Sequence, residues 1–151
     1  GGGVYTLNRT SVVSRLNNTI VAGNFRGTTS SGIANDVDGP KALSSQSAFN
    51  LIGTPAFAGR LVHGLNGNIV GQSGSGGTRV PLAVGTVLNL NLADNGGPTR
   101  THALVSGSVA INAGSNLLAV DGTGLALLTD QRGGGFTRIR GTAVDIGAFE
   151  F

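Results

Sequence analysis

The sequence predicts an all-β fold, a right-handed parallel β-helix (a solenoid) closed by a less regular C-terminal capping region. Three observations point there. Charged residues make up 11% of the 151 positions while glycine fills 27 of them; globular domains average about 25% charged. Short aliphatic runs recur between Asn and Gly. Long period-two alternations and two-residue hairpin signals are scarce, which argues against a β-sandwich. A chain so poor in Lys, Glu and Arg makes poor surface helices. It suits many short strands joined by turns, where Gly and Asn take positive φ cheaply.

The elements follow in order. Val12-Val13 is the first run, then Thr19-Ile20-Val21-Ala22 between Asn18 and Gly23-Asn24, then Asp36-Val37. Asn50-Leu51-Ile52-Gly53 and Asn68-Ile69-Val70-Gly71 share one pattern eighteen residues apart, with Asn18-Thr19-Ile20-Val21 a looser copy. Loops at 26–31 and 71–78 stretch the spacing. A repeat near 20 residues is the mark of a solenoid, because one coil cannot bury its apolar side chains alone. Stacking puts aliphatic over aliphatic with the strands parallel, and Asn at the bends can form amide ladders.

Residues 1–80 are therefore read as coils and 81–151 as the cap of the same domain. The second half is less repetitive. Residues 81–92 are apolar, Asp94-Asn95-Gly96-Gly97-Pro98 is a strong turn signal, and 117–128 is a short helix or loop broken by Asp121-Gly122-Thr123-Gly124. Residues 144–151 alternate and read as a closing strand. Such a cap covers the open edge of the last coil.

Composition narrows the function. The formal charge is +3, with Lys41 the single Lys and nine scattered Arg. Nucleic-acid binders carry a basic stripe interleaved with aromatics, so none is expected as a partner. There is no Cys, hence no disulfide or thiolate metal site. No apolar run approaches the roughly 20 residues of a bilayer span. No signal peptide opens the chain, and Gly1-Gly2-Gly3-Val4 reads as the middle of a longer protein whose export signal lies upstream.

Specific motifs then stand in order. Asn18-Thr19-Ile20-Val21-Ala22-Gly23-Asn24, Asn35-Asp36-Val37 and Asn50-Leu51-Ile52-Gly53 lead to Leu92-Ala93-Asp94-Asn95-Gly96-Gly97-Pro98-Thr99-Arg100-Thr101-His102-Ala103-Leu104. Ser108-Val109-Ala110-Ile111-Asn112-Ala113-Gly114, Thr129-Asp130-Gln131-Arg132-Gly133 and Asp145-Ile146-Gly147-Ala148-Phe149-Glu150 complete the set. The chain resembles the choice-of-anchor Q domain of large exported proteins related to polymorphic outer-membrane proteins and right-handed β-helix repeat proteins. It departs from that pattern at Val109 and Thr137, where Pro is usual, and at Asn112, where Asp is usual. The resemblance implies a module at the bacterial cell surface or outer membrane, before an anchoring or sorting signal, and it brings no catalytic residues.

Candidate chemistry is sparse. Glycoside hydrolysis needs two carboxylates across the bond, and a lyase needs carboxylate-bound calcium and a base. Asp36 and Asp38 are the closest acids in sequence, near Lys41. Two apart on a strand they share a face, which makes them calcium candidates; the plainer reading is a strand end entering a turn. His63 reads as a loop residue and His102 as a turn-holding hydrogen-bonder. No Gly-x-Ser-x-Gly, Walker, His-Glu-x-x-His or dinucleotide motif occurs. Gly74-Ser75-Gly76-Gly77 reads as a flexible loop, and the sequons at Asn8 and Asn17 are ordinary in so Asn-rich a chain.

Asp130, Arg132, Arg138, Arg140, Asp145 and Glu150 concentrate opposite charges near the C-terminus. Asp130 or Asp145 paired with Arg132 or Arg138 would form a partly buried clasp, suited to bidentate guanidinium–carboxylate geometry. The expected function is a non-catalytic, adhesin-like surface module for adhesion, display or envelope structure, with no cofactor. Expected partners are upstream coils of the same protein and extracellular components, glycans among them. The alternative is the terminal part of a carbohydrate-active β-helix enzyme, a polysaccharide lyase or hydrolase, with catalysis upstream. A glycan-binding module is the third reading, disfavoured by the lack of Trp and the single Tyr.

Overall fold

In the computed structural model, residues 3–7, 13–27 and 32–151 are described. The sequon at Asn8 and Val12 of the first expected run lie outside them. The chain divides into two compact units, Gly1–Ala83 and Val84–Phe151.

Among its described residues the first unit holds nine two-residue strands: β1 (Val4–Tyr5), β2 (Ile20–Val21), β3 (Phe25–Arg26), β4 (Ile33–Ala34), β5 (Val37–Asp38), β6 (Leu51–Ile52), β7 (Ile69–Val70), β8 (Gln72–Ser73) and β9 (Arg79–Val80). β2, β6 and β7 form a parallel sheet in which Val21, Ile52 and Val70 fall in register. β1 pairs β5 in parallel, and Val37 bridges Ala58. The two ladders thus bring Val21, Ile52 and Val70 together with Val4, Val37 and Ala58. These side chains, with Leu16, Leu43 and Leu61, make the apolar core.

The expected β-helix is corrected here. The strands lie in four separate sheets of two or three strands, and two of the four are antiparallel: β3 with β4 and β8 with β9. No solenoid sheet runs through the described residues. Two physical causes are visible. Left-handed residues cut each strand short: Asn18 (φ 48), Phe49 (φ 54) and Gly67 (φ 69) sit two places before the paired strands β2, β6 and β7, and Gly71 (φ 57) ends β7. In addition, the segment read as a flexible loop, Gly74-Ser75-Gly76-Gly77, reverses the chain. Gly74 N–H donates to Thr78 O (2.9 Å), Thr78 N–H donates to Ser75 O (3.3 Å), and β8 and β9 close as a hairpin.

A buried polar ladder runs beside the parallel sheet. Thr19, Asn50 and Asn68 immediately precede β2, β6 and β7. Asn50 Oδ1 accepts from Thr19 N (3.1 Å), and Asn68 Oδ1 accepts from Asn50 N and from Asn50 Nδ2 (3.0 Å each). Asn50 Nδ2 also donates to Leu16 O, and Asn68 Nδ2 to Ser47 O and Leu65 O. The ladder position in the first copy is held by Thr19; Asn18, matched by the sequence repeat, stands one residue earlier.

The second unit has no strand. Its backbone pairs through isolated antiparallel bridges, Leu88 with Leu104, Ala93 with Thr101, Val120 with Ala126 and Thr129 with Thr137. Val87, Leu104, Ala110, Ala119, Val144 and Ile146 are its buried apolar residues. The closing strand expected over 144–151 is absent: these residues are bends and irregular backbone. Val144, Ile146 and Glu150 are buried, and so is Asp145, because the segment is held by side-chain hydrogen bonds in place of a ladder. Residues 117–128 form a 3-10 turn (Asn116–Leu118) and a tight reversal around Asp121.

Candidate functional site

The strongest cluster of ionisable groups lies in the second unit, where Asp130, Arg132, Arg138, Asp145 and Glu150 are all buried. Asp130 holds Arg132 bidentately. Its Oδ2 accepts from Arg132 Nε (2.9 Å) and Nη2 (2.6 Å), its Oδ1 from the Arg132 backbone N–H (2.8 Å). Oδ2 also accepts the Glu150 backbone N–H (2.9 Å), and Arg132 Nη2 donates to Glu150 O (2.7 Å). The guanidinium carbon lies 4.0 Å from the Phe136 ring centre and 3.8 Å from that of Phe149. Both distances are within cation–π range. One ion pair thus grips both polar backbone groups of the penultimate residue.

Arg138 takes a different partner from those expected. It is ion-paired with the Glu150 carboxylate and donates to Gly147 O (3.0 Å) and Asp145 O (3.4 Å). The Asp145 carboxylate pairs with no Arg among the described residues; it accepts Asn112 N–H and Phe151 N–H, both at 2.7 Å. Asn112 Oδ1 in turn accepts Thr142 N–H (2.8 Å) and Ala143 N–H (3.2 Å). The cluster therefore joins Asp130 to Arg132 and Arg138 to Glu150, with Asp145 as a backbone cap between 112 and 151. Arg140 is exposed.

Glu150 was visible in the sequence only as one of the terminal charges. Its even spacing from Val144 and Ile146, both buried like Glu150, is the signal that could have found it. The aromatic pair Phe136 and Phe149 left no comparable trace.

The cluster holds three carboxylates against two guanidinium groups. Burial pushes Glu150 up, the Asp145 N–H and Arg138 oppose this, and the Asp145 and Asp130 charges add to it, leaving Glu150 at about 7. For Asp130 burial also raises, but the Arg132 side chain and the Glu150 and Arg132 N–H groups outweigh it, and its carboxyl ends below the ordinary value. A buried charge is tolerable only when paired and hydrogen-bonded; here both guanidinium groups are.

The two acids read as calcium candidates both accept hydrogen bonds from the chain. Asp36 is fully buried, and its Oδ1 accepts Asn24 N–H (3.0 Å) and Asn24 Nδ2 (3.1 Å). Its Oδ2 has no hydrogen-bond partner among the described residues. Asp38 accepts Gly39 N–H on Oδ1 (2.7 Å) and Asn35 Nδ2 on Oδ2 (2.9 Å), with Arg26 Nη1 3.6 Å away. Calcium takes six to eight oxygen ligands, and each oxygen of Asp38 already accepts one hydrogen bond. No group of three or more His, Cys, Asp or Glu is placed to hold a metal among the described residues.

Both histidines hold backbone. His102 Nδ1 lies 2.8 Å from Asn89 O, which requires the proton on Nδ1, and His63 Nδ1 accepts Val70 N–H (3.3 Å). No helix among the described residues is long and apolar enough to cross a membrane. Comparison with protein-family models, with curated proteins and with solved structures gives no match to this chain.

Proposed function

We propose that this chain is a non-catalytic module of an exported bacterial surface protein, serving adhesion, display or envelope structure. One observation carries the reading: all seven acids are tied to the fold. Asp36, Asp38, Asp94, Asp121, Asp130, Asp145 and Glu150 each accept a hydrogen bond from the chain itself. Each of the seven takes at least one backbone N–H. A general acid or base must reach a substrate proton, and these backbone contacts give each acid a structural role. The ordered motifs from Asn18 to Glu150, which resemble the choice-of-anchor Q group, support the surface location.

Two measurements test it. Incubating the chain with pectate, alginate, xylan and chitin, with reducing-end and unsaturated-uronate assays, is expected to show no turnover; turnover lost on substituting one of the seven acids overturns the non-catalytic reading. Protease accessibility of the full-length protein on intact cells is expected to be high, and protection until lysis overturns the surface reading.

A further inference from the structure

An open cavity of about 300 Å³ lies in the first unit between the β1–β5 pair and the β3–β4 pair. That volume is at the lower end of small-molecule sites, roughly 300–1,000 Å³. Its walls have two kinds of chemistry. One is aromatic: Tyr5 and Phe25 line it and are 65% and 53% exposed. The other aromatics of this unit, Phe49 and Phe57, are half-buried, so both of the unit's exposed rings meet at this one cavity. Two exposed rings at one concavity offer flat apolar faces to a ligand.

The second wall is polar and held in position. Asp38 is fixed on both oxygens, by Gly39 N–H and by Nδ2 of the buried Asn35. Those two hydrogen bonds, with Arg26 3.6 Å from Asp38, keep its carboxyl below the ordinary value and ionised. Arg26 retains donors facing solvent, since a guanidinium has five N–H groups and its side chain is 62% exposed.

The charges on this wall cancel. An anion would meet Asp38 and a cation would meet Arg26, so neither is favoured. A neutral ligand with one apolar face and one edge of hydroxyls satisfies both walls. Its C–H face lies on an aromatic ring, and vicinal hydroxyls donate to the carboxylate and accept from the guanidinium. We propose that this cavity is a binding subsite for a neutral pyranose unit, with Tyr5 and Phe25 as the platform and Arg26 and Asp38 as the hydroxyl-reading pair. The assignment holds independently of where the chain is located in or on a cell.

The composition supplies the probe. Tyr5 is the single tyrosine, and there is no Trp, so intrinsic fluorescence excited in the tyrosine band reports on this cavity alone. The chain is titrated with methyl glucoside, methyl galactoside, methyl mannoside and methyl N-acetylglucosaminide, with glucuronate as the anionic comparison. A saturable change with at least one neutral glycoside is expected, with glucuronate weaker. Phe25→Ala and Arg26→Ala, both at exposed side chains, are expected to weaken that binding roughly tenfold, while Leu117→Ala, in the other unit, leaves it unchanged. Circular dichroism checks that each variant is folded, and Arg26→Ala serves if Phe25→Ala is not. No saturable response to any neutral glycoside, tighter binding of glucuronate, or full affinity in a folded Phe25→Ala or Arg26→Ala variant overturns the proposal.

Discussion

Asn68 Oδ1 accepts both the backbone N–H and the side-chain Nδ2 of Asn50, each at 3.0 Å, in a region where both residues are buried. The pair links neighbouring parallel strands just before β6 and β7, so it sets their register. Replacing Asn68 with Ala leaves two buried donors of Asn50 without that acceptor. Each such group costs about 1–3 kcal/mol, and we expect Asn68→Ala to lose roughly 3 kcal/mol in urea unfolding. Thr19→Ala keeps its backbone N–H on Asn50 Oδ1, and its loss is expected to be well below that of Asn68→Ala.

Gly97 has φ 84°, and a Cβ there would come within 2.5 Å of Arg132 O and 2.6 Å of Arg132 Cα. Both atoms are backbone and cannot swing away. Gly97→Ala adds left-handed strain to this clash. We expect a loss of more than about 2 kcal/mol and weakened protection of the Glu150 amide in hydrogen exchange. Gly107→Ala, with open space around its Cβ, bears only the φ penalty and is expected to lose about half as much or less.

Asn112 caps the turn at 142–143 through Oδ1. An acceptor-only carboxylate performs the same task, so Asn112→Asp is expected to hold most of the stability at neutral pH. Asn112→Ala strips the acceptor and is expected to cost about 1–2 kcal/mol. Thermal melts of the two variants side by side make the comparison.

Stability also responds to pH through Glu150. Its carboxyl sits at about 7 in the folded chain against an ordinary 4.5, so between those values the folded state binds more proton than the unfolded one. Stability then falls as pH rises through this window. The penalty on the ionised form is felt in full above pH 7. Asp130 runs the other way: its lowered carboxyl gives stability above the ordinary value of 3.8 that is lost as pH falls toward the folded value. Urea midpoints are expected to peak near mildly acidic pH and decline toward pH 8. Glu150→Gln is expected to flatten that decline.

Only part of this was legible in the sequence: the β-helix expected from it is not formed, and the reasons are local. The aliphatic runs at Ile20, Leu51 and Ile69 do align in parallel, and in the last two the shared Asn-aliphatic-aliphatic-Gly pattern sets Leu51 against Ile69 and Ile52 against Val70. The path between the runs was not legible. Gly74-Ser75-Gly76-Gly77 can loop outward or reverse, and composition alone does not choose; here it reverses into an antiparallel pair. At the C-terminus the charges were plain, but the pairing was not. Arg138 meets Glu150, while Asp145 spends its carboxylate on the amides of Asn112 and Phe151. Long-range backbone caps of this kind leave no spacing in the chain. The sparse aromatics argued against a sugar site, yet two of them, Tyr5 and Phe25, line one cavity.

The claim that this protein's charges serve the fold is tested most directly by the thermal unfolding of Arg132→Ala at neutral pH. Removing the guanidinium strands buried Asp130 and frees the Glu150 carbonyl, a change worth roughly 3–5 kcal/mol. We predict a fall in Tm on the order of 10 °C. A Tm equal to that of the unmodified chain would contradict the account.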